Sequence, residues 1–553
     1  MNSVVYEKKY TKMIAAALFS ITSIVTPMFN LDPINVPKFL TLTVFGFGLL
    51  ALLLVSFKKW WPQFEFKPAI VLALLVPISM TLSLVFSKSP LEQQLFGTYG
   101  RNTGLITYLS FSILFIAATL LNFSESKRKI SISILAVVIL NVLYGYIQLI
   151  GLDPIKWSSL YAPIFGTFGN PDFMSGFLGM SFGLLLTQIL LRPSNFKINS
   201  SLICLSLLVA FLTYKTKSTQ GLVLIVELGA ISLYFFLVKL KIHKRLIATY
   251  VISVVSIALL SILGMLHIGP FSTFLYKSSV TQRGDYWDAA IEMIKNKPFF
   301  GIGLDSFGDY YRSARSPQAA ERFNSSVVTN SAHNVFLDIG STAGLITLLA
   351  YLAIIFYVMF KFLKKIKREG LADVFALSIF VMWIGYLSQS TISINNIALG
   401  VWGWILPGLL LSFCRDSSQN NANKNTPKKQ DFINFALIPG LVIGFLIGYL
   451  PFRADSNLRF AIEKSDLNLI IKSTSIWPHD TQRYNYVSAI LENNRLTNES
   501  ISVGRNAISY NPQSFESWQF MLKANASTNY EKDEALKKLK LLDPFNVALK
   551  NSH

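Results

Sequence analysis

The sequence predicts an all-α protein: a polytopic membrane helix bundle of about 13 transmembrane helices, a large extracytoplasmic loop and a C-terminal soluble helical-repeat domain. Three observations carry that expectation. Hydrophobic residues make up 52% of the 553 positions and charged ones only 14%, with a mean hydropathy of +0.45, a balance foreign to soluble globular chains. Apolar runs close to the ~20 residues a bilayer demands recur as far as residue 451. From Phe452 the chain turns polar, with apolar residues in pairs such as Ala489/Ile490 and Met521/Leu522.

The start, Met1 to Lys12, is polar and basic. The apolar run at 13–30 has no small-residue cleavage site after it, so it is expected to stay as a helix. Further spans are expected at 38–57, 68–86, 104–123, 130–150, 172–191, 199–214, 219–238, 246–266, 333–360, 371–390, 396–414 and 433–451. Alternate connections hold the basic residues: Lys8/Lys9, Lys58/Lys59/Lys67, Lys127/Arg128/Lys129, Arg192/Lys197, Lys239/Lys241/Lys244/Arg245, Lys361/Lys364/Lys365/Lys367/Arg368 and Lys424/Lys428/Lys429. The positive-inside rule assigns these to the cytoplasm with the N-terminus, and leaves the intervening loops and the tail outside the cytoplasmic (inner) membrane. That clustering accounts for the net charge of +20, and no nucleic-acid partner is expected. Cys204 and Cys414 lie within or at the end of apolar runs, so no disulfide framework is indicated.

Residues 267–332 are a polar interruption between two apolar runs, and a structureless loop of that length is uncommon unless it has a function. Tyr286, Trp287, Ala290, Ile291, Met293 and Ile294 fall at helical spacing, so Asp285 to Lys295 should be a helix lying on something apolar. Pro298, Gly301 and Gly303 then end it in a turn. In the tail, Trp477-Pro478, Asn511-Pro512 and Asp543-Pro544 recur at intervals of 34 and 32 residues. A period near ~34 marks tetratricopeptide hairpins, which take peptide or protein partners on a concave face; an irregular helical cap with unrelated prolines is the alternative. The expected division is a membrane domain over 1–451 and the repeat domain over 452–553.

Some cations sit in loops where the charge rule does not want them: Arg101 in Phe96-Gly-Thr-Tyr-Gly-Arg-Asn-Thr-Gly104, Lys215 and Lys217, and Arg283. An anionic substrate at the outer surface would explain them, since guanidinium pairs bidentately with phosphate oxygens and ammonium adds a point charge. Pairing with Asp285, Asp288 or lipid headgroups is the plainer explanation for any one of them. His333, one of five histidines, stands at the mouth of the next apolar helix between Ala332 and Asn334. A neutral imidazole there can take a proton from a hydroxyl; helix capping is the competing role. Amides at the helix start would favour the neutral form, and an unperturbed imidazole titrates between about pH 5.5 and 8, so turnover is expected to vary over that range. The outer loops hold no Asp-x-Asp pair, and neither a metal nor a cofactor is expected.

Taken together, these residues resemble the O-antigen ligase and polymerase family of polytopic glycosyltransferases over roughly residues 80 to 415. The matching elements are Gly166-Thr-Phe-Gly-Asn170-Pro171, Arg283-x3-Trp287, Pro298-x2-Gly301-x-Gly303 with Phe307, and Ala332-His333-Asn334 followed by Gly344-Leu345. The resemblance implies metal-independent, inverting transfer of a saccharide from an undecaprenyl-diphosphate-linked donor to a hydroxyl of a glycan, lipid or protein acceptor. It puts Arg283 on the diphosphate and His333 on the acceptor; Arg101, Lys215 and Lys217, as the other misplaced cations, and Trp287 and Asn334, beside those two in the motifs, are the further residues expected to bind substrate. Many members carry Ser-Arg-Gly where this chain has Lys217-Ser-Thr-Gln-Gly221. The second phosphate-binding arginine is thus absent, and Lys215 or Lys217 would supply its charge without its fork. Two other classes fit less well. A transporter of a lipid-linked or anionic solute would show paired repeats, and a membrane anchor for a working tail would not need so many spans.

Overall fold

A computed structural model describes residues 3–62, 64–157, 164–193, 195–322, 326–371, 373–415 and 430–550. These residues are helical with no strand among them. In chain order the helices are α1 (Ser3–Ser23), α2 (Asn35–Trp60), α3 (Lys67–Phe86), α4 (Leu91–Phe96), α5 (Leu105–Thr119), α6 (Phe123–Leu149), α7 (Pro171–Leu191), α8 (Phe196–Lys215), α9 (Thr219–Lys239) and α10 (Lys244–Met265). The large loop contains α11 (Ser272–Leu275), α12 (Ser278–Asn296), α13 (Phe307–Ala314) and α14 (Pro317–Arg322). After the loop come α15 (Val335–Glu369), α16 (Val374–Ser390), α17 (Ile397–Cys414) and α18 (Gln430–Glu463). The tail adds α19 (Leu467–Ser473), α20 (Thr481–Asn493), α21 (Thr497–Tyr510), α22 (Phe515–Lys523), α23 (Asn529–Leu542) and α24 (Val547–Lys550).

Among the described residues, 10 helices are long and apolar enough to cross a membrane: α2, α3, α6 to α10, α15, α17 and α18. The other three expected spans are α1, which carries Glu7, Lys8, Lys9 and Lys12 in its first half, and the shorter α5 and α16, of 15 and 17 residues. Both short helices are almost wholly buried, α5 chiefly against α17, whose side chains are themselves nearly all inside, and α16 against α7 and α17. Helix α10 is the opposite case: of its residues only Gly264 is buried, so its apolar surface is left for lipid. The expected charged connection at Lys424, Lys428 and Lys429 lies outside the described residues.

Helix α18 lies along α2. Gly440, Gly444 and Gly448, one turn apart, bring the two backbones together: a Cβ on Gly444 would stand 2.3 Å from the carbonyl oxygen of Thr43. This is the small-residue contact that replaces a hydrophobic driving force inside lipid. The same helix then runs on into the tail, where α20 packs on α21 and α22 on α23. The three X-Pro steps stand just before α20, α22 and α24, so their spacing is the spacing of helix pairs.

The tail is bolted onto one end of the bundle. Asp455 accepts the backbone N–H of Leu31 at 2.8 Å, and Arg459 donates to the carbonyl of Asn30 at 2.8 Å and to that of Pro27. His479 pairs with Glu92 at 3.1 Å. In the large loop, Arg315 grips both oxygens of Asp543 at 2.8 and 2.9 Å with both side chains out of solvent, and Arg312 stacks on Phe515 at 3.9 Å.

Candidate active site

Helix α12 is longer than the expected 285–295. Its apolar face, Tyr286, Ala289, Ala290 and Met293, packs with Phe307 and Tyr311 of α13 and with Ala332 into a small core of its own, while Ile291 is turned outward. Beyond α12 the backbone inserts into another helix. Helix α15 is broken at Gly344, whose φ is +85°, and the Pro298–Gly303 turn fills the break: Ile302 N–H donates to Ser341 O at 2.9 Å, Gly303 N–H to Thr342 O at 3.1 Å, and Leu345 N–H to Pro298 O at 2.7 Å. A Cβ on Gly344 would meet Phe299 O at 2.1 Å, so only glycine admits the turn. The orphan groups of an interrupted helix are thereby bonded.

His333 precedes this helix with φ +51°. Asp338, on the first turns of α15, holds its loop: one oxygen accepts Ala332 N–H at 2.9 Å, the other accepts Ser331 Oγ–H at 2.7 Å and Arg101 Nη2 at 3.1 Å. Asn334 accepts the N–H groups of Phe336 and Leu337 at 3.0 and 3.1 Å, so its side-chain oxygen serves as the helix cap. Arg101 is only 6% exposed. Its Nε lies 3.3 Å from Asp305, and its Nη1 donates to Asn330 O at 2.5 Å. Asp305 in turn accepts the N–H of Thr98 at 2.8 Å and the hydroxyl of Thr103 at 3.1 Å. The guanidinium expected to meet a phosphate is therefore committed to two carboxylates, and it ties the 97–103 loop to the His333 loop.

Arg283 is differently placed. Its Nε is buried without a hydrogen-bond partner, and one turn on, the Nε1 of Trp287 is also buried and unpartnered. Asp285, the neighbour that could have neutralised it, is engaged by Arg322 at 2.8 Å. Buried donors without acceptors are costly, and an anion bound beside α12 would satisfy them. The ring of Tyr286 lies 5.4 Å from that of His333. Burial, then the charges of Arg283 and Arg101, push the imidazole down to about 4 against the opposing pull of Asp172. The titration expected between pH 5.5 and 8 is thus moved below that range: the free protein holds His333 neutral throughout it.

The lysines separate. Lys215 is exposed, its ammonium over the rings of Phe211 and Tyr214 at 5.3 and 6.0 Å. Lys217 is exposed in the turn between α8 and α9 at φ +61°. That turn reaches the site's neighbours: Ser218 donates to Asp172 at 2.6 Å, and Lys277, at the start of α12, donates to Thr219 at 2.5 Å. Asp172, Lys277, Asp305 and Asp338 went unread in the sequence. Only Asp338 left a signal there, as a carboxylate inside an apolar helix. Among the described residues no three His, Cys, Asp or Glu side chains converge as a metal group. His333 also lines a cavity of about 970 Å³ between the bundle end, α13 and the tail.

Fold and site together define a multi-pass helical membrane protein with a neutral histidine and an unpartnered guanidinium at one end of its bundle. Residues 202–352, which include Arg283, Trp287, His333 and Asn334, match the family model described as O-antigen ligase. Arg101 and the 166–171 motif fall outside the matched residues. A protein of Haemophilus influenzae described as uncharacterized is 27% identical over 156 residues, 26% of this chain, and the chain spans only 38% of that relative's length.

Proposed function

We propose that this protein is a metal-independent, inverting membrane glycosyltransferase of the O-antigen ligase type. It moves a saccharide from an undecaprenyl-diphosphate-linked donor to a hydroxyl of a glycan, lipid or protein acceptor outside the cytoplasmic membrane. The observation that carries this reading is the unpartnered Arg283 standing close enough to a neutral His333 to lower its pKa. The acceptor hydroxyl gives its proton to His333 as its oxygen attacks the anomeric carbon. The bond from that carbon to the diphosphate oxygen breaks, and the leaving group departs with the electron pair. Arg283 offsets the charge that grows on it. An imidazole near 4 is a weak base, but a bound diphosphate cancels the repulsion from Arg283 and strengthens it when substrate is present.

Arg101 enters this mechanism as a positioning residue acting through Asp338, and Asn334 as the cap that fixes the helix start. Lys217 is the preferred stand-in for the missing second arginine, because its turn adjoins Asp172 and α12. The tail is assigned as a tetratricopeptide-like domain, supported by the spacing of its helix pairs. The break in α15 does not favour a transporter, since the backbone of the Pro298–Gly303 turn fills it. His333→Ala should lower turnover by roughly 10²–10⁴-fold with donor binding little changed, and His333→Gln should be nearly as poor. Recovery of activity in the glutamine variant would reduce His333 to a positioning group.

A further inference from the structure

Beside His333 the cavity of about 970 Å³ is at the large end of ordinary ligand pockets, which run to about 1,000 Å³. Its walls come from the 31–36 turn, the 92–102 stretch, the large loop up to His333, the end of α18, and α20 with the start of α22 in the tail. Six carboxylates lie along it, Glu92, Asp305, Asp309, Asp455, Asp480 and Glu516. The two lining arginines are already engaged, Arg312 by Asp543 at 3.2 Å and Arg483 by the carbonyl oxygens of Ile476 at 2.7 Å and of Pro478. Three of the carboxylates are paired, Glu92 with His479, Asp305 with Arg101 and Glu516 with Arg312, and the remaining three leave the lining unfavourable to a diphosphate. Arg283 is not part of it, so donor phosphate and cavity occupant meet His333 from different sides.

Asp309 is held in the wall by amides alone, Gln93 Nε2 at 2.9 Å and Asn511 Nδ2 at 3.2 Å, and burial pushes its carboxyl up to about 6. Asn102, 4% exposed, keeps an Oδ1 with no hydrogen-bond partner. Phe96, Tyr99 and Tyr486 add aromatic faces. Amide and carboxylate groups between aromatic rings suit a molecule with hydroxyls around its edge and C–H groups on its faces.

We propose that this cavity is the acceptor subsite and that it takes an uncharged saccharide chain, whose end hydroxyl reaches His333. The assignment rests on the transferase reading. On the cavity side of α20, Gln482 and Tyr486 are exposed one turn apart, so Gln482→Trp and Tyr486→Ala alter the cavity without touching a core. The full-length variants are compared in cells, by mass spectrometry of the glycoconjugates they make. As purified protein in lipid nanodiscs they are compared by calorimetry with farnesyl diphosphate as the probe. Both variants should lose about tenfold or more of the transferred product, with farnesyl diphosphate affinity within about twofold of wild type. Arg283→Lys should do the reverse to the probe. Wild-type transfer in both variants, or affinity for farnesyl diphosphate lost in parallel, overturns the subsite. So does an acceptor that proves to be a protein side chain or a phosphorylated or carboxylated sugar. Should the wild-type protein neither bind the probe nor change any glycoconjugate, it is the transferase reading that falls, and the subsite with it.

Discussion

Arg101 and Arg283 carry the same group and end in opposite situations. The first is locked between Asp305 and Asp338, the second is buried at its Nε with nothing to bond. Sequence could name both as misplaced cations but not tell them apart, because Asp305 and Asp338 lie more than 200 positions from Arg101 and become its neighbours only through the fold. If Arg283 grips a diphosphate through its fork, Arg283→Lys should lose most transfer although the charge is kept; a fully active lysine variant at normal protein level would make it a mere surface charge. The pH profile tests His333. Its folded pKa, about 4, lies below the ordinary 6.5, so the stability it contributes is fully present above pH 6.5 and is lost as pH falls toward 4. Accordingly kcat/KM, which reports the free protein, should be flat from about pH 5.5 to 8. An apparent pKa for kcat should lie higher, since bound diphosphate opposes Arg283. A kcat/KM profile breaking near pH 6.5 would mean that the imidazole is not shielded as described.

Among the elements, the long apolar helices and the amphipathic α12 were legible, because 3.6-residue periodicity and bilayer length are local properties. The bounds of α5 and α16 were not, since their short length is compensated by burial against α17 and, for α16, α7, rather than by anything in their own residues. The junction between the large loop and α15 was half legible. The glycines of Pro298-x2-Gly301-x-Gly303 announce a turn, but nothing local says that the turn enters a helix 40 positions on. That junction predicts contrasting alanine variants. Gly344→Ala forces a Cβ against Phe299 O and should cost at least on the order of 1–3 kcal/mol from backbone strain alone. Gly284→Ala, in open space on α12, should be neutral or stabilising by up to about 1 kcal/mol. Thermal unfolding of the two purified proteins separates these outcomes, and equal midpoints would refute the inserted turn.

For the whole molecule, the tail's hold on the large loop depends on Asp543, a carboxylate with no exposed side-chain surface. Asp543→Asn leaves two guanidiniums facing a neutral amide, and breaking such a buried pair costs on the order of 3–5 kcal/mol. Hydrogen exchange should accelerate in α13, α22 and α23 while α17 keeps its protection, and transfer should fall with the probe's affinity unchanged; uniform exchange rates would mean that the latch holds nothing. The spacing of the tail's helix pairs was visible in its prolines, whereas its seat over the site was not, being made by contacts between distant segments. Helix α18 couples that seat to the bilayer. It is a single helix from Gln430 to Glu463, set against α2 by three glycines within the lipid and joined to the 27–32 turn by Asp455 and Arg459 above it. A helix that leans to fit a thinner bilayer carries its far end sideways. Because the end of α18 lines the cavity, a change in the acyl-chain length of the host membrane is expected to shift that wall, which a comparison of the protein in nanodiscs of short-chain and long-chain lipid would test.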